Sequence, residues 1–334
     1  MNEIDYNPTG LDSVDELPLP KPPDEALWAE NFCYQAWDRE QDLGVWLHLA
    51  RMPYDHDIWR ETVVVFLPGD RYFLSRAFAR GAHEAGPGSA GTRLTCVEPF
   101  RRFRLRFDGV GRYVRQADVE DGSLRDGPAQ PFHLDLEFEA AAPLWDMSAH
   151  LKGQHFASMH HEQSCLATGT FETLDETFTM RQGGAMRDHS RGARDFTKLH
   201  SHVWLNAVFP SGRCFNVLAN YERSTGRTLA RGFVSDGRTF QDFAMEPSFL
   251  QDPDKPFEVG NLKLSNEGES FEIGVEILRV LPMAMRRPND LVLGKEAAGD
   301  GLGNRLYEGR ARYTWDGEVA YGHIERSCPF AAGE

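Results

Sequence analysis

The sequence predicts an all-β protein built from two antiparallel barrels or sandwiches in tandem, with few short helices. Three observations carry this. Segments of period-two alternation recur along the 334 residues. Turn dipeptides separate them. Long amphipathic helical patterns are missing, and 31 glycines and 19 prolines fit a turn-rich chain. At the usual ~100–200 residues per domain, this length gives about two domains.

The segments justify themselves in order. "ETVVVFLPGDRYFLSRAF" reads as two strands around a Pro-Gly-Asp turn. "FRLRF" sets Phe103, Leu105 and Phe107 against Arg104 and Arg106, one face buried and one wet. "GVG" at 109–111 is expected in a hairpin turn. "FHLDLEFE" alternates Phe132, Leu134, Leu136 and Phe138 with charged partners. "FVSDGRTFQDF" and "ARYTWDGEVAYGHIE" carry Asp-Gly hairpin signals. Short helices are expected near Asp24–Asn31 and Pro247–Gln251. Alternation lapses over residues 145–162, which places a boundary there. The expected division is an acidic, Pro-rich arm over 1–26, an N-terminal β domain over 27–160 and a C-terminal β domain over 161–330. The arm is either free or draped over a partner subunit in a homodimer.

Composition excludes several classes. A formal charge of −15 argues against nucleic acid and anionic membrane surfaces as partners. No apolar run is long enough for a membrane span, and the N-terminus lacks the pattern of a signal peptide. The five cysteines are odd in number and widely spaced, so reduced thiols in the cytoplasm are expected, with neither a disulfide framework nor a zinc site. There is no G-x-S-x-G, no P-loop and no G-x-G-x-x-G opening a helix. Cofactor-free acid–base chemistry or simple binding is what remains.

"GGAMRDHSRGARDF", residues 183–196, gathers Arg187, Asp188, His189, Arg191, Arg194 and Asp195 between alternating segments. In a strand Asp188 and His189 would face opposite ways; in a Gly-flanked turn both could line one cavity. Arg187 and Arg194 are candidates for forked pairs with Asp188 or Asp195. A carboxyl in apolar surroundings keeps its proton and becomes a candidate general acid. The competing reading is an Arg–Asp network that only ties the two expected domains together. In "KLHSHVWLNAVF", His200, His202 and Trp204 share a face of a strand; ligand lining and core packing both fit better than metal, for which no third ligand is placed nearby. "MHHEQS" offers His160, His161 and Glu162 as a cavity wall or a surface stretch. For His323 and Glu325 in "YGHIE" the surface is the default.

Four segments, "ENFCYQAWDREQDLGVWLHLAR", "HHEQSCLATGTF", "GGAMRDHSRGARDF" and "WLNAVFPSGRCFNV", together resemble the two-domain lipocalin-like superfamily of carotenoid 1,2-hydratase and the AttH-like proteins, over roughly residues 30–330. Arg187–Asp195 resembles its R-D-H-S-W-G-x-R-D signature, with Arg191 where that signature has Trp. The resemblance implies two lipocalin-like barrels and cofactor-independent hydration, dehydration or cyclisation in an apolar cavity between or within them. It implies an Asp that protonates an alkene: Asp188 and His189 match the signature, and His202 and Trp204 the following strand. The expected activity is a hydratase- or dehydratase-type lyase or isomerase acting on a terpenoid, aromatic or steroid-like molecule in an inter-barrel pocket, with no cofactor. Asp188, His189 and His202 are the expected catalytic groups. Arg187, Arg191, Arg194, Trp204, Trp46, His161 and Glu162 are the expected substrate contacts. The alternative is a non-catalytic carrier of a lipophilic ligand.

Overall fold

A computed structural model describes residues 4–83, 85–121, 127–151, 157–222, 225–226, 228–245, 261–286, 289–294 and 303–329. It has two β units. The first runs through Ala193 and the second begins at Arg194.

The first unit contains β1 (Trp28–Asp38), β2 (Leu43–Met52), β3 (Asp55–Leu67), β4 (Arg71–Arg80), β5 (Ala82–His83), β6 (Gly86–Pro87), β7 (Thr92–Glu98), β8 (Arg102–Arg115), β9 (Ala129–Ala140), β10 (Trp145–Asp146), β11 (Met159–Glu172) and β12 (Thr177–Ala193). Hydrogen bonding runs β11-β12-β1-β2-β3-β4-β8, and β9 pairs with both β8 and β11, closing an eight-stranded antiparallel barrel. Closure leaves no open edge in the ring. Its interior is filled by one face of every strand, including Phe32, Tyr34, Leu47, Val63, Phe73, Leu105, Phe132, Leu136 and Phe171.

The second unit contains β13 (Leu199–Val208), β14 (Cys214–Glu222), β15 (Thr228–Ser235), β16 (Phe240–Met245), β17 (Leu262–Ser265), β18 (Ser270–Arg286), β19 (Asp290–Leu293), β20 (Gly303–Trp315) and β21 (Glu318–Pro329). The order is β17-β16-β15-β14-β13-β21-β20-β18-β19, and β17 also pairs with β18, so this ladder returns on itself. Val203, Leu205, Phe215, Val217, Ala311, Tyr313 and Ile324 belong to its core.

The turns follow their residues. Asp316 and Gly317 both have positive φ, +48° and +81°, as a two-residue hairpin of the primed type requires. Gly69 and Asp70 also have positive φ, +72° and +62°, in the three-residue link between Leu67 and Arg71. At the third hairpin the Asp236 carboxylate accepts hydrogen bonds from the Arg238 and Thr239 backbone N–H groups, both at 2.8 Å.

Four expectations change. The division lies at Ala193/Arg194, not at 160/161, because β11 and β12 complete the first barrel by pairing with β9 and β1. Residues 28–31 of the first expected helix begin β1, and the second, at Pro247–Gln251, lies outside the described residues. Gly109–Gly111 sit within β8, paired with Phe132, Pro131 and Gln130, where Gly109 leaves room for the Phe107 ring and Gly111 for the Phe73 ring. The N-terminal arm packs on its own chain, as its ion pairs below show. None of the five cysteines is in a disulfide.

Gly192 closes β12 at φ +133°, and a Cβ there would lie 2.5 Å from the Ser158 nitrogen. Gly192→Ala is therefore expected to cost about 1–3 kcal/mol, read as a lower urea midpoint.

Candidate functional site

The motif at 183–196 lies mostly in β12, between β1 and β11. A central strand sends successive side chains to opposite faces, so Asp188 and His189 part company.

Arg187, His189 and Arg191 turn to the barrel side with Phe32 and Tyr34. The His189 ring stacks on Phe32 at 3.9 Å between centroids. Its Nε2 lies 3.0 Å from the Glu30 carboxylate, which also receives Arg191 Nε at 2.7 Å, Arg51 Nη1 at 3.2 Å and the Leu19 N–H at 3.1 Å. Burial alone would raise Glu30, but His189 and Arg191 outweigh it and hold its pKa below the usual value. Arg191 Nη2 donates to the Leu17 carbonyl at 2.5 Å, and Arg51 Nη1 donates to that of Leu19 at 2.7 Å. Arg187 forks onto Glu16 at 2.7 and 2.6 Å and donates to Gln163 at 2.8 Å. These residues form a polar plug that clamps the arm to the barrel. The expected substrate contacts Arg187 and Arg191 are thus engaged in structure, and Arg187 pairs with Glu16, not Asp188. His189 is likewise a positioned core group on the face opposite Asp188. His161 also belongs to this face, its ring edge-on to His189 at 6.3 Å. Arg194 is buried at the start of the second unit.

The opposite face of the same strands carries a second set. Register places Glu162, Asp188, Cys33, His48 and Thr62 in one row across β11, β12, β1, β2 and β3. His160, Ser190, Asn31, Ala50 and Arg60 form the next row. Ser164, Met186, Gln35, Trp46 and Val64 form the row on the other side. His160 Nε2 sits 2.5 Å from Asp188 and 3.1 Å from Glu162. Burial would lower this imidazole, but the two carboxylates outweigh it and lift its pKa to about 9. Asp188 is therefore no lone carboxyl in hydrocarbon; it shares a charged imidazole with Glu162. Although outer sheet faces normally meet water, Glu162 is 0% and Gln35 1% exposed. Both ends of the Gln35 amide, Trp46 Nε1, Thr62 Oγ1 and Ser164 Oγ have no protein hydrogen-bond partner. Each such group costs about 1–3 kcal/mol unless water or a ligand engages it. Trp46 stacks on His48 at 5.6 Å.

The second unit repeats the plan by itself. On the side away from its core, Trp204, Glu325 and Glu308 share one row, and Asn206, His323 and Arg310 the next. The His202 Nε2 contacts the Glu325 carboxylate, and its Nδ1 lies 2.6 Å from Ser327 Oγ. Trp204 donates to Asn216 at 2.9 Å and meets the His323 ring edge-on. His323 and Glu325 are thus inward members of a constellation and not surface residues; His323 is 2% exposed. Sequence reasoning missed Glu308, Glu16 and Glu30. In a strand, a carboxylate among alternating residues reads as a wet face, and only burial reveals otherwise.

Histidine burial fixes a pH dependence. Burial, with the neighbouring cations, lowers His161 to about 2, so below pH 6.5 the unfolded chain binds the extra proton and stability falls. His160 is raised, so its contribution is complete below 6.5 and is lost as pH climbs through 9. Each limb carries up to about 1.4 kcal/mol per pH unit per histidine. Urea midpoints should fall on both sides of pH 6.5, with His161→Gln flattening the acid limb and His160→Gln the alkaline one.

The fold defines the class: a two-domain, all-β, AttH/lipocalin-like fold. The chain belongs to the family described as "Domain of unknown function (DUF7064)", which matches residues 12–329. An AttH-like protein from Nitrosomonas europaea is similar in structure, with TM-score 0.55, 15% identity and 92% of this chain and 98% of that one covered. CghA with Sch210972 gives TM-score 0.58 at 10% identity, covering 92% and 90%. Kievitone hydratase from Nectria haematococca gives 0.52 at 11%, covering 89% and 88%. No curated protein matches in sequence. No helix among the described residues is long and apolar enough to cross a membrane.

Proposed function

We propose that the protein is a cofactor-independent acid–base lyase or isomerase of the hydratase/dehydratase type, acting on a lipophilic terpenoid, aromatic or steroid-like molecule. The observation that supports this is the His160–Asp188–Glu162 constellation, a proton held between two buried carboxylates on a face with unpartnered donors. The His160–Asp188 pair gives its proton to an alkene carbon or to a departing hydroxyl. In hydration, the oxygen of water bonds to the resulting cation and its released proton passes to Glu162. From there it returns to His160, 3.1 Å away. The Trp46 π face stabilises developing positive charge. Gln35, Thr62 and Ser164 engage the oxygen functions of the substrate. The hydratase among the structural neighbours points the same way.

A panel of alkenes and tertiary alcohols of these skeletons, followed by mass spectrometry for gain or loss of one water, tests the reading. Turnover is expected with the wild type and should decline above about pH 9, as His160 loses its proton. Tight binding with no consumption selects the alternative, a lipophilic carrier.

A further inference from the structure

We propose that Glu308, Glu325 and His323 form a second proton-transfer site, contained within the second unit, where a proton shared by two carboxyl groups exchanges with an imidazole and serves an uncharged, oxygen-bearing substrate. Its residues belong to the second unit, whereas Asp188 belongs to the first. The geometry is built by β20 and β21, whose pairing sets Glu308 directly opposite Glu325. Glu308 is 0% exposed. The Glu325 side chain is 14% exposed. Two contacting carboxyls with so little water cannot both ionise at modest cost, so they hold one proton between them.

Their surroundings decide where it resides. The His202 imidazole contacts Glu325, and Ser327 in turn meets the other nitrogen of that ring, so the negative charge is fixed on Glu325. Burial raises Glu325, but Glu308 and His202 overcome this and hold it low. Burial and then the Glu325 charge push Glu308 well up, which leaves it the protonated member. His323 Nε2 lies 3.3 Å from Glu308, and burial lowers that imidazole to about 4, so it is neutral and able to accept. Arg310 lies beside His323 in register.

A ligand-facing role is supported independently. Both ends of the Asn220 amide and the Asn206 Nδ2 have no protein partner, and these residues are 1% and 4% exposed. Asn220 adjoins His202 in register and Asn206 adjoins His323. Such amides recognise carbonyl and hydroxyl groups.

The proton cycle closes on these residues. Glu308 gives its proton to the substrate, for example to an alkene carbon, as the π bond breaks and a C–H bond forms. Water then forms the C–O bond and His323 takes the released proton. The imidazolium returns it to Glu308, and the net change is one water added across the double bond.

Infrared spectroscopy of the full chain tests this without a substrate. The wild type should show a protonated-carboxyl band at neutral pH that is lost in Glu308→Gln and retained in Asp188→Asn. Deuterium exchange of that carboxyl should slow at least about tenfold in His323→Leu, because the accepting base is removed; His323→Gln, which keeps the polar contact, should slow it equally. Absence of the band in the wild type overturns the proposal, as does a band that survives Glu308→Gln or exchange unchanged in both His323 variants. A stoichiometric divalent cation bound to the three side chains, which lie within 4.8 Å of one another, would also overturn it. None of these readouts depends on turnover at Asp188, so the two readings fail separately.

Discussion

Replacing Arg187 with methionine is expected to destabilise the first unit by about 3–5 kcal/mol, the usual cost of removing one member of a buried ion pair. The guanidinium is 2% exposed, forks onto Glu16 and lies 3.9 Å from the centre of the Phe103 ring. Methionine retains the apolar stem but strands the Glu16 carboxylate, itself 5% exposed. A second change, Glu16→Leu, removes that stranded charge and should recover most of the loss. Chemical denaturation at constant slope measures both. Limited proteolysis should find the arm around Glu16 protected in the wild type and cut in Arg187→Met. An Arg187→Met protein as stable as the wild type would show that the clamp contributes nothing.

Asp188→Asn is expected to lower turnover by about 10²–10⁴-fold, the range for disabling a positioned acid–base group, here the His160–Asp188 pair. The substitution is nearly isosteric, so the strand and its rows persist and ligand binding remains. It removes the negative charge 2.5 Å from His160, leaving Glu162 alone to hold the imidazolium. The pH at which activity declines should therefore move downward from about 9 in the residual activity. A merely structural Asp188 would leave that profile in place. Full turnover in the variant would sink the acid–base proposal.

Fold class was legible because alternation is local. "FRLRF" and "FHLDLEFE" show their buried sides directly, and the Asp-Gly turns show where strands reverse. The boundary was less legible: alternation lapses before β11, yet this strand and β12 still belong to the first barrel. Long-range pairing, which no local pattern encodes, sets that limit. The site was legible in part. The motif at 183–196 drew attention to Asp188, but whether it parts from His189 stayed open between a strand and a turn until β12 placed the two on opposite faces. The partner of Arg187 was not legible, because Glu16 is 171 residues away in the chain. Nor were Glu308 and Glu325 as a pair, since cross-strand register brings them together.

By itself, the sequence determined which faces of each strand are apolar, where the hairpins turn and which residues could carry protons. Only the tertiary structure decided which polar side chains lose their water. Hydrophobic alternation is written along the chain, whereas desolvation depends on what the folded chain lays over each residue. That is why Arg187 and Arg191, which looked like substrate contacts, became clamps for the arm. It is also why Glu325, which looked like a surface residue, became the partner of the buried Glu308.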